Sequence, residues 1–340
     1  MAIFWNIFIK TFSFFLSFAI IIFLVALLIG FFNNNKTNNF SLLKGEENST
    51  NTVVVFELDG LIINSKDQFS EFISPFLISP NRVKRQLEEL SLLSPKTIIF
   101  SINSPGGTVS ASKNLYEILK KFKENNETEI IFHTNELLAS GGYWMAASGD
   151  RIFGNYGSII GSIGVKGPEW YFYDEPLTMS SGIFGNKIET KNGIKVYSNI
   201  AGKSKDLFNP FRLPSNKELS FLESMVDEIY FDFINIVSKE RKIEIETLKN
   251  EIGALIYTAG IAKELHLIDG VISLDGLIDK ILNEKKYKDY KVIKKYNNKN
   301  SILRKIINGT LNNGRQSLYK ECLSLRSSIS AVLSYQSIGC

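Results

Sequence analysis

Histidine and cysteine are scarce in this chain, each occurring twice in 340 residues. Cys322 and Cys340 both fall near the C-terminus without CxxC or metal-like spacing, so neither a disulfide framework nor a zinc site is indicated. His133 lies inside the apolar run EIIFHT, the place of a core or edge residue, and His266 falls at a helix end in KELHLIDG. With no other imidazole, proton transfer at any active site here has to use a different group. Also lacking is self-similarity at the period of about 20–50 residues that marks solenoids. The chain is not polar enough to be disordered as a whole, because 44% of its residues are hydrophobic.

What is present begins with a membrane-length segment. The length allows one large domain with extras or two ordinary ones. Thr11 to Phe32 (TFSFFLSFAIIIFLVALLIGFF) carries no charge and is long enough as a helix to cross the ~30 Å hydrocarbon layer. A cleaved signal peptide has an apolar region of about 7–15 residues and then an A-x-A-like site. This run is longer and no such site follows, so a retained anchor over 11–32 is expected, with 1–10 as its flank. Lys10 on one side faces Lys36 and Lys44 on the other, so charge leaves the orientation undetermined. Residues 33–52, with NNNKTNNF and KGEENSTNT, are too polar to bury and read as a tether, placing the folded body at 53–285. The net charge of +4 is split: Lys285 to Lys305 holds nine Lys/Arg against Asp289 alone, +8, which leaves the rest near −4. The basic, partly helical tail at 286–340 is either a solvated charged stretch or a surface for anionic lipid, which the anchor favours, and nucleic acid is not expected.

The body alternates strands and helices. VVVFELDGLI (53–62) and KTIIFSI (96–102) are short, β-branched runs of the kind buried on both sheet faces. SPNRVKRQLEELSLL between them is helical, and Leu115, Ile118, Leu119 and Phe122 give the next helix an apolar stripe. The strand EIIFHT follows, and 216–249 looks mostly helical. This order predicts an α/β domain with right-handed crossovers.

Two turns carry the chemistry. In SINSPGGTVSAS (101–112), Pro105 forces an extended approach and Gly106 and Gly107 permit backbone angles closed to other residues, just before a helix. Amides of such a turn can face a developing oxyanion, though an ordinary strand-to-helix turn has the same look. In ELLASGGYWMAAS (136–148), Ser140 also follows a strand and precedes small residues, so it can be a nucleophile or merely a small packing residue. Adjacent strand-to-helix turns at one sheet edge meet in space. A lysine can act as base if burial strips its hydration and brings its pKa from about 10.4 down to ~7–8. Composition does not choose one among 39 basic residues.

SINSPGG, LLASGGYWMAASGDRIFGNYGSIIGSIGV, AGKSKDLFNPFR and GALIYTAGIAKELHLIDG, in this order between about Val53 and Asp279, resemble the S49 peptidases, the signal peptide peptidase A or protease IV family. The resemblance implies a ClpP/crotonase-like fold and a serine endopeptidase with a Ser-Lys dyad that degrades cleaved signal peptides and other apolar peptides through an acyl-enzyme. It makes Ser140 the nucleophile, Lys205 of AGKSKD the general base rather than Lys203, Ser162 of GSIIGSIGV the assistant of the lysine, and Gly106 and Gly107 the oxyanion turn. It implies no cofactor or metal. Its partners are peptides, membrane lipid and further copies of the chain, in an octamer-like ring whose neighbouring subunits share each site. It places the chain in a bacterial inner (cell) membrane, single-pass, with the body on the non-cytoplasmic side. Tyr143, Trp144, Ile163 and Val165 are candidates for apolar subsites, with core packing the competing role. His266 stands where the family has glycine, and nothing beyond about Tyr296 has a counterpart. Two other readings compete: a crotonase-like enzyme acting on acyl-CoA, against which the anchor and AGKSKD both count, and a catalytically silent membrane scaffold.

Overall fold

A computed structural model describes residues 2–32, 40–64, 77–170, 172, 181–182, 185–186 and 201–295. The first helix, α1 (Ala2–Phe32), begins well before the expected residue 11, because Lys10 and the aromatic residues ahead of it do not interrupt helical geometry. Within it Ile7–Val25 is long and apolar enough to cross a membrane. In chain order the strands are β1 (Phe40–Gly45), β2 (Thr52–Asp59), β3 (Leu61–Ile62), β4 (Leu77–Ile78), β5 (Thr97–Asn103), β6 (Glu129–Thr134), β7 (Leu137–Ala139), β8 (Arg151–Gly154), β9 (Ile159–Gly161), β10 (Ser181–Gly182), β11 (Gly185–Asn186), β12 (Ile256–Thr258), β13 (Gly270–Val271) and β14 (Lys291–Lys295). The remaining α-helices are α2 (Pro80–Ser91), α3 (Val109–Asn126), α4 (Gly141–Ala146), α5 (Asn216–Arg241), α6 (Ile245–Thr247), α7 (Ala259–Glu264) and α8 (Leu274–Lys285), with a π-helical turn at Leu248–Ile252 directly after α6. The mixed α/β class expected from the alternating pattern is the one present.

Seven strands form the central sheet in the order β1-β14-β2-β5-β6-β8-β13, all parallel except for the antiparallel edge pair β1–β14. Alternation along each strand divides its side chains between two cores. Val54, Phe56, Ile98, Phe100, Ile130 and Phe132 join Leu87 of α2, Leu115 and Leu119 of α3, and Phe233 and Val237 of α5. Val53, Val55, Ile99 and Ile131 face Leu277, Ile281 and Leu282 of α8 on the other side. Helices on both faces explain why these strands read as unbroken apolar runs. Across neighbouring strands the Phe56 ring meets Phe100 edge-on with centroids 5.3 Å apart, and Phe100 stacks on Phe132 at 5.2 Å.

Two expected boundaries are corrected. The tether over 33–52 contains β1, and the tail over 286–340 begins with β14, which lies between β1 and β2 with Val292 opposite Val53 and Ile293 opposite Val54. Lysines hid this strand, yet each finds a partner: Lys294 pairs with Glu57 at 2.6 Å and Lys295 with Glu89 at 2.5 Å. Lys295 is itself buried, its charge offset by that pairing, while Lys294 is half-buried. The helical pattern expected after residue 300 lies outside the described residues.

A smaller sheet, β12-β9-β7, stands beside the main one. Parallel pairing of β7 with β9 puts Leu137 opposite Ile159 and Ala139 opposite Gly161. Helix α5 starts on a capping box, in which Ser215 Oγ accepts from the Glu218 N–H and the Glu218 carboxylate accepts from the Ser215 N–H. It ends at Arg241, with Lys242 as its left-handed cap at φ 56°, and helix resumes in α6 and a π-helical turn at Leu248–Ile252, so 216–249 is mostly helical, as its periodicity suggested.

Candidate active site

Three chain segments converge where β5, β7 and β9 end. The Ser104 N–H donates to Leu137 O at 2.8 Å, and the Ala139 N–H donates back to Ser104 O at 3.0 Å, which joins the SPGG turn to β7. One residue on, the Ser140 N–H donates to Gly161 O at 2.9 Å. Because Ala139 is in register with Gly161, the next residues, Ser140 and Ser162, emerge side by side. The structure thus brings together Ser140, Ser162, Gly106 and Gly107, four of the five residues expected to carry catalysis.

Ser140 adopts φ 52° and ψ −123°, a conformation dominated by glycine, between strand β7 and helix α4. Holding a serine there costs on the order of 1–3 kcal/mol and persists only where its surroundings over-determine it. The result is a sharp strand-to-helix turn with the hydroxyl at its apex, the geometry that exposes a nucleophile. Ser162 is left-handed too, at φ 53°, and its N–H donates to Leu255 O at 2.7 Å.

Gly106 is required by contact as well as by its φ of 103°, since a Cβ there would lie 2.8 Å from Ser140 Cβ and 2.7 Å from Gly141 N. Its amide is already engaged, donating to Ser104 Oγ at 3.1 Å, while that hydroxyl donates to Gly60 O at 2.7 Å. Gly106 is therefore the residue that lets the turn approach Ser140, and the free amide of the pair belongs to Gly107. A Cβ on Gly141 would lie 3.2 Å from Gly107 N, so these two glycines are neighbours beside Ser140. Among the described residues neither the Gly107 nor the Gly141 N–H has a backbone acceptor. Gly141 was not singled out by sequence, although its place at the first turn of a helix leaves its amide unsatisfied by rule.

Asn103 was also missed. Its Nδ2 donates to Asp59 Oδ1 at 3.1 Å and its Oδ1 accepts from the Glu136 N–H at 3.0 Å, bracing the turn from below.

Three of the four subsite candidates are corrected. Tyr143 is fully buried with its hydroxyl donating to Leu267 O at 2.7 Å, and burial pushes that hydroxyl above its ordinary range. Trp144 is buried and stacks on Phe233 with ring centroids 4.4 Å apart, and Ile163 is buried too. Only Val165 is half-exposed. Apolar type does not distinguish a pocket wall from a core position; these three anchor α4 and β9 from inside. His133 is likewise a core residue, with Nε2 2.9 Å from Ile272 O and its pKa pushed down by burial. His266 sits in the left-handed region at φ 58°, a conformation that favours glycine.

Lys205 is exposed, and among the described residues no hydrogen bond joins it to Ser140 or Ser162. Its loop is held firmly nonetheless. The Arg212 guanidinium donates to both Asp206 carboxylate oxygens, at 2.7 and 2.8 Å, and to both Glu218 oxygens, at 2.9 and 2.8 Å. Hydrogen bonds from Arg212 hold both carboxyls below the usual range. Among the described residues no group of three His, Cys, Asp or Glu is arranged to hold a metal.

The model of Peptidase family S49 matches residues 123–288. A chain named as a protease in Methanocaldococcus jannaschii is 32% identical over 189 residues, 55% of this chain and 56% of that one. A signal peptide peptidase SppA relative in Enterococcus faecium is 26% identical over 266 residues, 77% of this chain and 72% of its own length. This chain therefore spans little more than half of the archaeal relative. Among solved structures, a mutant ClpP1 of Listeria monocytogenes is 14% identical with a TM-score of 0.39, over 67% of this chain and 95% of that one.

Proposed function

We propose, taking the peptidase family S49 segment at residues 123–288 as premise, that this chain is a membrane-anchored serine endopeptidase working through Ser140 and Lys205. The observation that carries the reading is the strained Ser140 turn, which packs against Gly106 and has the unengaged Gly107 and Gly141 amides beside it. A hydroxyl in that position needs only a base to become a nucleophile.

The base is Lys205, and a lysine is basic near neutral pH only when dry. Exposed in the single chain, Lys205 works when it is covered by, and serves the Ser140 of, a second copy. Its Nζ takes the Ser140 Oγ proton as Oγ bonds to the peptide carbonyl carbon. The Gly107 and Gly141 amides hold the resulting oxyanion. Nζ then returns the proton to the departing amine as the C–N bond breaks. Water, deprotonated by Lys205 Nζ, attacks the acyl-serine, and Nζ passes that proton to Ser140 Oγ as the acyl C–O bond breaks and the second product leaves. Ser162, beside Ser140, orients the lysine.

Helix α1 supplies the single-pass anchor in the cell membrane, with the body on the non-cytoplasmic side. Signal-peptide remnants and other apolar peptides are the substrates this arrangement suits.

An acylating fluorophosphonate probe tests the reading on the full chain in detergent. Labelling of Ser140 in wild type, lost in Ser140→Ala and reduced by at least about a hundredfold in Lys205→Ala, is the expected outcome. A folded oligomer that takes no label is a scaffold instead.

A further inference from the structure

The loop that carries Lys205 is built around a charge directly beside it. Asp206 follows Lys205 in the chain, and Arg212 captures the Asp206 carboxylate with two parallel hydrogen bonds of 2.7 and 2.8 Å. The same guanidinium is anchored on the Glu218 carboxylate, which is 6% exposed and also accepts from the Ser215 N–H at 2.8 Å and hydroxyl at 2.9 Å. Trp170 lies 5.1 Å from the guanidinium carbon, and its own Nε1 donates to Asn209 O at 3.1 Å. Ser204 and Phe208, on either side of Lys205, are left-handed at φ 58° and φ 68°. A backbone held that way needs outside constraints, and the Arg212 clamp supplies them.

We propose that Arg212 is a positioning residue for the general base: it holds the Asp206 carboxylate away from the Lys205 amine and so leaves that amine free to lose its proton. This deepens the function proposed above and rests on the assignment of Lys205 as base. Without Arg212, the carboxylate of the adjacent residue is free to pair with the Lys205 ammonium, and an opposite charge at such range favours the charged form. A bidentate guanidinium suits the task because it fixes both carboxylate oxygens in one plane. The other charged groups around the clamp act on the amine as fixed background. Lys203 lies on the same loop and Lys217 at the start of α5, while Lys166 is paired with Glu169 next to Trp170.

The rate of Ser140 modification by the fluorophosphonate, measured on the full chain from about pH 5 to 10, reads the base through its acid limb. In Arg212→Gln that limb is expected about one pH unit higher than in wild type, and Arg212→Gln/Asp206→Asn is expected to return it. Asp206→Asn alone, which keeps the guanidinium on Glu218, is expected to leave the limb at or below its wild-type position. A limb unmoved in Arg212→Gln, equally displaced in the double variant, or raised by Asp206→Asn overturns the proposal. If Arg212→Gln does not fold, Asp206→Asn decides alone. Lys205→Ala separates the two levels: a wild-type rate in that variant removes the base and Arg212's role with it. A collapsed rate beside an unmoved Arg212→Gln limb removes only the latter.

Discussion

A serine at φ 52° and ψ −123° gives up local stability for placement, and Gly106 is what makes the placement possible. Gly106→Ala adds a methyl 2.7 Å from Gly141 N and 2.8 Å from Ser140 Cβ, at a φ of 103° that alanine resists. Neither neighbour is a flexible side-chain end, so the turn itself has to shift. The expected outcome is a Ser140 labelling rate at least about a hundredfold lower, the scale of losing an oxyanion donor, in a protein whose far-ultraviolet circular dichroism is unchanged. Full labelling in Gly106→Ala contradicts the close-approach role. At this scale the small-residue turns were legible because few other sequences permit such angles. Gly141 and Asn103 were not, since their importance lies in what they touch across the fold. Tyr143, Trp144 and Ile163 misled for the same reason: an aromatic or aliphatic side chain carries no mark of which surface will cover it.

Among the elements, the start of α5 joins stability to the site, because Glu218 both caps the helix and anchors the Arg212 clamp. The sign of its pH dependence follows from the direction of the shift. Glu218 and Asp206 both have carboxyls held low in the folded protein, first by hydrogen bonds from Arg212. Their contribution is thus fully present above the ordinary carboxylate range of about 4 and is lost as pH falls through the lower folded values. Thermal melting is expected to drop as the pH goes from about 5 to 3, and to drop less steeply in Glu218→Gln. Identical acid slopes in the two proteins refute the link. Strands β2, β5 and β6 were readable because burial on both faces leaves only β-branched and aromatic choices. Strands β1 and β14 were not: β1 is an exposed edge that admits Lys44, and β14 beside it carries Lys291, Lys294 and Lys295 among only two apolar residues, Lys294 and Lys295 being paired with Glu57 and Glu89. The helical stretch over 216–249 was readable as well, and only the break at Lys242, set by that residue's left-handed backbone before helix resumes at Ile245, left no mark in the periodicity.

For the whole molecule the decisive fact is the separation of the chemistry. Ser140, Ser162 and the glycine turns meet at the ends of three strands, while Lys205 faces solvent on a clamped loop. The proposed nucleophile and the proposed base do not touch within a single chain, so the proposal requires each site to be completed by a neighbour. The strongest measurement is complementation. Ser140→Ala and Lys205→Ala chains, each inactive alone, are co-assembled and assayed for hydrolysis of an apolar peptide. In an equal mixture, about one site in four pairs an intact serine with an intact lysine in a heterologous ring, and recovery of roughly that fraction of wild-type activity is predicted. Mixed oligomers that form and remain inactive contradict a site shared between copies.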